Sequence, residues 1–139
     1  MSKHDFQMRL NCTYIDPDNT VDSLDVETYI DNEWQALDLH TKTAGFQVFI
    51  YAILTCQHMY FRMNAVERGL MLASSKGSVI VNADEQWNIE LLHVQFDGHL
   101  KNGTASQDAI EYIAERMGLC PVSCNLREIA NTKTIVTFE

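Results

Sequence analysis

The chain has 139 residues, 46% of them hydrophobic, and carries 19 acidic against 10 basic residues for a formal charge of −9. One domain, residues 1–139, is the expectation at this length, and the apolar fraction excludes a disordered chain. The charge argues against a nucleic-acid binder, which needs a basic patch, and disfavours docking on an anionic membrane.

The first residues, Met1 to Leu10, alternate polar and apolar and lack the uninterrupted apolar core of a secretory signal. The longest apolar stretch, Phe46 to Cys56, falls short of the ~20 residues of a transmembrane helix. The expected compartment is therefore the cytoplasm, where thiols stay reduced. On that reading the glycosylation patterns at Asn11-Cys-Thr13 and Asn102-Gly-Thr104 are chance matches.

Residues 6–14 have the period of a half-buried strand: Phe6, Met8, Leu10, Cys12 and Tyr14 point one way, Gln7, Arg9, Asn11 and Thr13 the other. Asp16-Pro-Asp-Asn19 is a turn cluster. Alternation returns at Leu24, Val26, Thr28 and Ile30, and Asp31-Asn-Glu33 turns the chain into Trp34–Leu39. Residues 21–40 thus form a predicted hairpin, and the first three strands an antiparallel meander. From Ala44 to Glu67 apolar residues recur at spacings of three and four and nearly encircle the first half, which predicts a helix buried on most sides, stopped near Gly69. Strands are expected at about 71–82 and 87–97, then a turn at Asp97-Gly98 and a loop at Lys101-Asn-Gly103. Thr104 with Gln107 matches a capping box, followed by the stripe Ile110, Ile113, Ala114 and Met117 of an amphipathic helix ending at Gly118. Cys120-Pro-Val-Ser123 reads as the start of a short helix, and Thr132–Phe138 as a last strand. The order βββ-α-ββ-α-α-β is an α+β pattern.

Four cysteines are too few for a disulfide scaffold in a chain of this length. Cys12 lies on the apolar face of a strand and reads as core. Cys56 lies mid-helix, where a cysteine often serves as a small buried hydrophobe. Cys120 precedes a proline and takes an N-cap, a place where backbone N–H groups and the helix dipole favour a thiolate. Cys124 is one helical turn on. A Cys120–Cys124 disulfide is geometrically possible but has no support in the sequence, and a closed zinc site would need a second ligand pair that the sequence does not offer.

The segments Ala52-Ile-Leu-Thr-Cys56, Met59 through Gly69, and Glu111 through Leu126 with its Cys120-Pro-Val-Ser123 resemble the OsmC/Ohr family of thiol-dependent peroxidases. The resemblance is strongest from Thr41 onward, and the order of elements fits over nearly the whole chain. It implies an antiparallel sheet wrapped on a central buried helix in an intertwined homodimer. It implies Cys56 as the peroxidatic thiol and Cys120 as the resolving one, with no metal or cofactor. Small organic hydroperoxides are the implied substrates, and a thiol or dihydrolipoyl group the implied reductant. Phe46, Phe49, Met59, Tyr60 and Met63 are candidates to line an apolar substrate pocket, with core packing the rival role for each.

One departure stands out. Family peroxidases activate their cysteine with an arginine held by a glutamate ten residues before it; here that position is Phe46. Arg9 is the one arginine before the long apolar helix and reads as a solvent-facing strand residue. Lys42, His40 and His58 are the other nearby cations, and His58 falls roughly opposite Cys56 on a helix. A protein of this type lacking the activating pair is alternatively a module with weak or no peroxidase activity that binds a small apolar ligand or senses redox state.

Overall fold

A computed structural model describes residues 4–129 and 131–139; residues 1–3, the start of the stretch that lacks a secretory signal's apolar core, lie outside it. The alternating segments become β1 (His4–Ile15), β2 (Thr20–Ile30) and β3 (Glu33–Ala36), and the long apolar run becomes α1 (Gly45–Glu67). β4 (Leu72–Ala83), β5 (Ile89–Leu100), α2 (Gln107–Met117) and β6 (Thr132–Phe138) follow, with one short 3₁₀ turn at Ser123–Asn125 before the last strand.

The strands form one sheet in the order β3-β2-β1-β4-β5-β6. The first five pair antiparallel, whereas β6 runs parallel to β5. A parallel neighbour needs a crossover, and α2 with the turn after it supplies one. Met8, Leu10, Cys12 and Tyr14 of β1, Val79 and Val81 of β4, and Leu92, Val94 and Phe96 of β5 are all buried in one core with Ile50, Ile53, Leu54 and Phe61 of α1. Among the described residues no helix is long and apolar enough to cross a membrane.

α1 ends as its sequence suggests. Gly69 takes a left-handed φ of 72°, its N–H donates to Val66 O, and the N–H of Leu70 reaches back to Ala65 O. This is the glycine-terminated helix stop in which two orphan carbonyls are satisfied at once. The expectation that α1 is buried on most sides is not met within one chain. Its buried residues include Gln57, His58 and Asn64 as well as the apolar set, and they share the sheet-facing side, while Val48, Met59 and Met63 stay exposed.

Three further local expectations are corrected. The cap of α2 is Ser106 rather than Thr104: its side chain accepts the N–H of Ala109 at 3.1 Å. Asp97-Gly98 is not a turn. β5 continues to Leu100, and Gly98 lies under Phe138 and Leu72, so the small residue is needed for packing rather than for reversal. The helix expected at Cys120 is reduced to the 3₁₀ turn, whose three residues begin at Ser123.

Candidate functional site

Cys56 comes from the middle of α1 and Cys120 from the crossover after α2. The two thiols are near enough that Cys120 acts on the titration of Cys56, as does the backbone of Val122. All four cysteines are free thiols. Cys120 is fully buried at 0% exposure and Cys56 is half-buried. α1 and the crossover are pinned together one residue away, where Gln57 Nε2 donates to Ser123 Oγ at 2.6 Å. The Oε1 of Gln57 is buried without a partner among the described residues.

The turn holding Cys120 is organised by its own backbone and by its sulfur. The N–H of Ser123 donates to Cys120 Sγ at 3.3 Å, and the N–H of Cys124 donates to Cys120 O at 2.9 Å. Cys120 thus performs the hydrogen-bonding work of an N-cap although no full helix follows. Cys124 is half-buried; its thiol donates to Pro121 O at 3.4 Å, and Asn125 Nδ2 lies 3.6 Å from its sulfur.

Burial pushes the Cys56 thiol up to about 11, and the neighbouring thiol of Cys120 and the charge of Cys124 push the same way against the lowering influence of the Val122 backbone. No cation figures among these influences. Of the cations considered from sequence, Arg9, His40 and His58 are engaged elsewhere. Arg9 Nε pairs with Glu27 Oε1 at 2.8 Å, and its guanidinium stacks 4.0 Å over the Trp34 ring. The Nδ1 of His40 accepts the backbone N–H of Lys42 at 3.1 Å. His58 points into the core, with its Nε2 2.7 Å from Tyr14 Oη, which is in turn 2.6 Å from Ser75 Oγ. Burial lowers His58 to about 4, with the Arg62 charge adding to it, so it is neutral at physiological pH. Cys12 is buried in the core beside Tyr14, and burial raises its thiol too.

Phe46, where the family's glutamate would stand, is part of an aromatic group. Its ring centroid lies 4.9 Å from Phe6, 5.1 Å from Trp87 and 5.5 Å from Phe49. Tyr60 is half-buried, and Met59 and Met63 are 52% and 46% exposed. Within one chain, therefore, the structure brings Cys56 and Cys120 together but leaves Met59 and Met63 open to solvent. Gln57, Val122 and Ser123 are the neighbours that sequence reasoning missed. The one available signal was Gln57 itself, a polar residue inside an apolar helix.

The architecture has counterparts among solved structures. An OsmC-like hydroperoxide resistance protein from Jannaschia sp. CCS1 superposes with a TM-score of 0.57 at 13% identity, covering 91% of this chain and 89% of that one. The chain has an OsmC-like fold. An OsmC-like protein from Mycoplasma pneumoniae gives a TM-score of 0.55 at 14% identity over 93% and 94% of the two chains. A putative osmotic stress induced and detoxification response protein from Psychrobacter arcticus gives 0.53 at 10% identity over 83% and 88%. No family model and no curated protein matches the sequence. The OsmC-like fold is thus shared while the sequence has diverged far from these structures.

Proposed function

We propose that the chain is a cysteine-based thiol peroxidase that reduces organic hydroperoxides. The observation supporting this reading is the nearness of the thiols of Cys56 and Cys120, which come from distant parts of the sequence. The Cys56 thiolate attacks the terminal peroxide oxygen, the O–O bond breaks, and the alkoxide leaves and takes a proton as the alcohol. Cys56 becomes a sulfenic acid. The sulfur of Cys120 attacks it, its proton and the hydroxyl leave as water, and a disulfide forms. A small thiol or a dihydrolipoyl group then reduces the disulfide. Phe46, Phe49, Met59, Tyr60 and Met63 form the apolar surround that favours an organic peroxide, completed by a second copy in a homodimer. The cycle suits a cytoplasmic protein, since it draws on a reducing pool.

The test is mass spectrometry after one equivalent of cumene hydroperoxide. A Cys56–Cys120 disulfide is expected in the native sequence and none in Cys56→Ser. Two free thiols, with peroxide consumed no faster than by Cys56→Ser, would overturn the reading. The high pKa of Cys56 and the absence of a cation among its influences favour a second reading, a module with weak or no peroxidase activity that holds an apolar ligand or senses redox state. Native mass spectrometry of the purified protein separates the two: a copurified apolar molecule supports the second reading.

A further inference from the structure

Cys124 belongs to neither step above, yet it lies in the same turn as Cys120. We infer that Cys124 is a third redox-active thiol, which takes the disulfide from Cys56 and presents it to the external reductant as a Cys120–Cys124 bond. The inference rests on the peroxidase reading for its first disulfide and adds the step that follows.

Access is the first argument. A Cys56–Cys120 disulfide joins a fully buried sulfur to a half-buried one, and reduction by exchange requires a thiolate to reach one of the two sulfurs. The sulfur of Cys124 is held at the surface, against the exposed residues Pro121 and Asn125, and it is already within the site, since its charge acts on Cys56. Proximity is the second argument. The backbone hydrogen bond from Cys124 N–H to Cys120 O makes the two residues neighbours on one turn, where side chains four apart lie roughly 5–6 Å from Cβ to Cβ. A disulfide needs about 3.5–4.5 Å, so the turn must tighten. It has room to do so, because Ser123, Leu126 and Arg127 of this segment border a cavity of about 120 Å³ together with Gln57, Leu92 and Val94. The turn holds its shape through three 3₁₀ residues rather than a full helix.

The exchange is balanced without an added oxidant. The thiol of Cys124 gives its proton to solvent, its sulfur attacks Cys120, and the Cys56–Cys120 bond breaks. Cys56 departs as a thiolate and takes up a proton. A leaving thiolate of high basicity departs slowly, so the first disulfide accumulates before the second replaces it.

The experiment oxidises the full chain with one equivalent of cumene hydroperoxide, quenches with an alkylating agent at intervals, and maps tryptic peptides without reduction. Residues 43–62 carry Cys56, and residues 117–127 carry both Cys120 and Cys124. The cross-linked pair should rise and then give way to a peptide 117–127 that has lost two hydrogens, with Cys56 alkylated. In Cys124→Ser the cross-linked pair should persist, single-turnover peroxide consumption should be unchanged, and turnover with dithiothreitol should fall about tenfold as the accessible disulfide is lost. A persistent cross-link in the native chain, with Cys124→Ser turning over equally fast, would overturn the inference while leaving the peroxidase reading intact. A parallel oxidation with diamide keeps the two apart. If peroxide oxidises nothing, the peroxidase reading falls, and the inference stands or falls on whether diamide joins Cys120 to Cys124 with Cys56 left free.

Discussion

At the scale of single residues, Cys56 and His58 have their protonation shifted by burial, and each gives a measurable pH dependence. Cys56 is held at about 11, so only a small fraction is thiolate at pH 7. Its reaction with peroxide is expected to rise about tenfold per pH unit from 7 towards 10, since the thiolate is the nucleophile. Stopped-flow peroxide consumption checks this, and a rate already flat below pH 8 would mean that a cation outside this chain lowers the thiol. His58 works in the opposite direction. Buried against Tyr14 and beside the charge of Arg62, it stays neutral down to about 4. The unfolded chain binds a proton at the ordinary histidine value of roughly 6.5, so between these values the unfolded state holds more protons. Stability present above about 6.5 is therefore expected to fall as pH drops towards 4, and urea midpoints for the native chain and His58→Gln should converge across that window. The sequence placed His58 opposite Cys56 through helix periodicity. It offered no sign that Tyr14 and Ser75, from two separate strands, would meet the ring.

Element boundaries were legible where a local rule acted alone. Strand alternation found β1 and β2, and Gly69 marked the end of α1. They were lost where packing overrode the rule. Gly98 looked like a turn residue because only the chain neighbours are visible in a sequence, yet its small size serves Phe138 from a strand forty residues later. Gly77 makes the same point on β4, where a Cβ would lie 2.4 Å from the Phe96 ring. Gly77→Ala is expected to cost about 1–3 kcal/mol by overpacking, read as a lower denaturation midpoint with an unchanged m-value. Thr104 and Ser106 competed for one cap, and only the backbone decides between them. Replacing Ser106 by Ala removes the hydrogen bond to the N–H of Ala109 and is expected to cost about 1 kcal/mol, whereas Thr104→Ala should be silent in the same unfolding experiment. The thiol pair was legible as two cysteines in two helical contexts. That the second context shrinks to a 3₁₀ turn, with Cys124 alongside, was not.

At the scale of the whole molecule, the apolar excess of α1 is only partly used by its own sheet. Met59 and Met63, at 52% and 46% exposure, lie on a helix whose other face fills the core. A second copy covering them is the reading carried by the proposed homodimer, and analytical ultracentrifugation should give twice the 15.9 kDa of one chain. Met59→Glu with Met63→Glu should shift that mass to the monomer, whereas a native chain already monomeric at micromolar concentration would remove the proposed second half of the pocket.

The parallel placement of β6 also governs how oxidation acts on the chain as a polymer. Because the crossover carries Cys120, a bond from Cys56 to Cys120 closes a loop of roughly 65 residues containing β4, β5 and α2, which in the chain-entropy account stabilises the folded state by about 4 kcal/mol. Transfer of the bond to Cys124 leaves a loop of about five residues and only about 2 kcal/mol. Successive redox states of this one chain should therefore melt at different temperatures, the first oxidised form highest, so that a thermal scan reports which pair of sulfurs is joined.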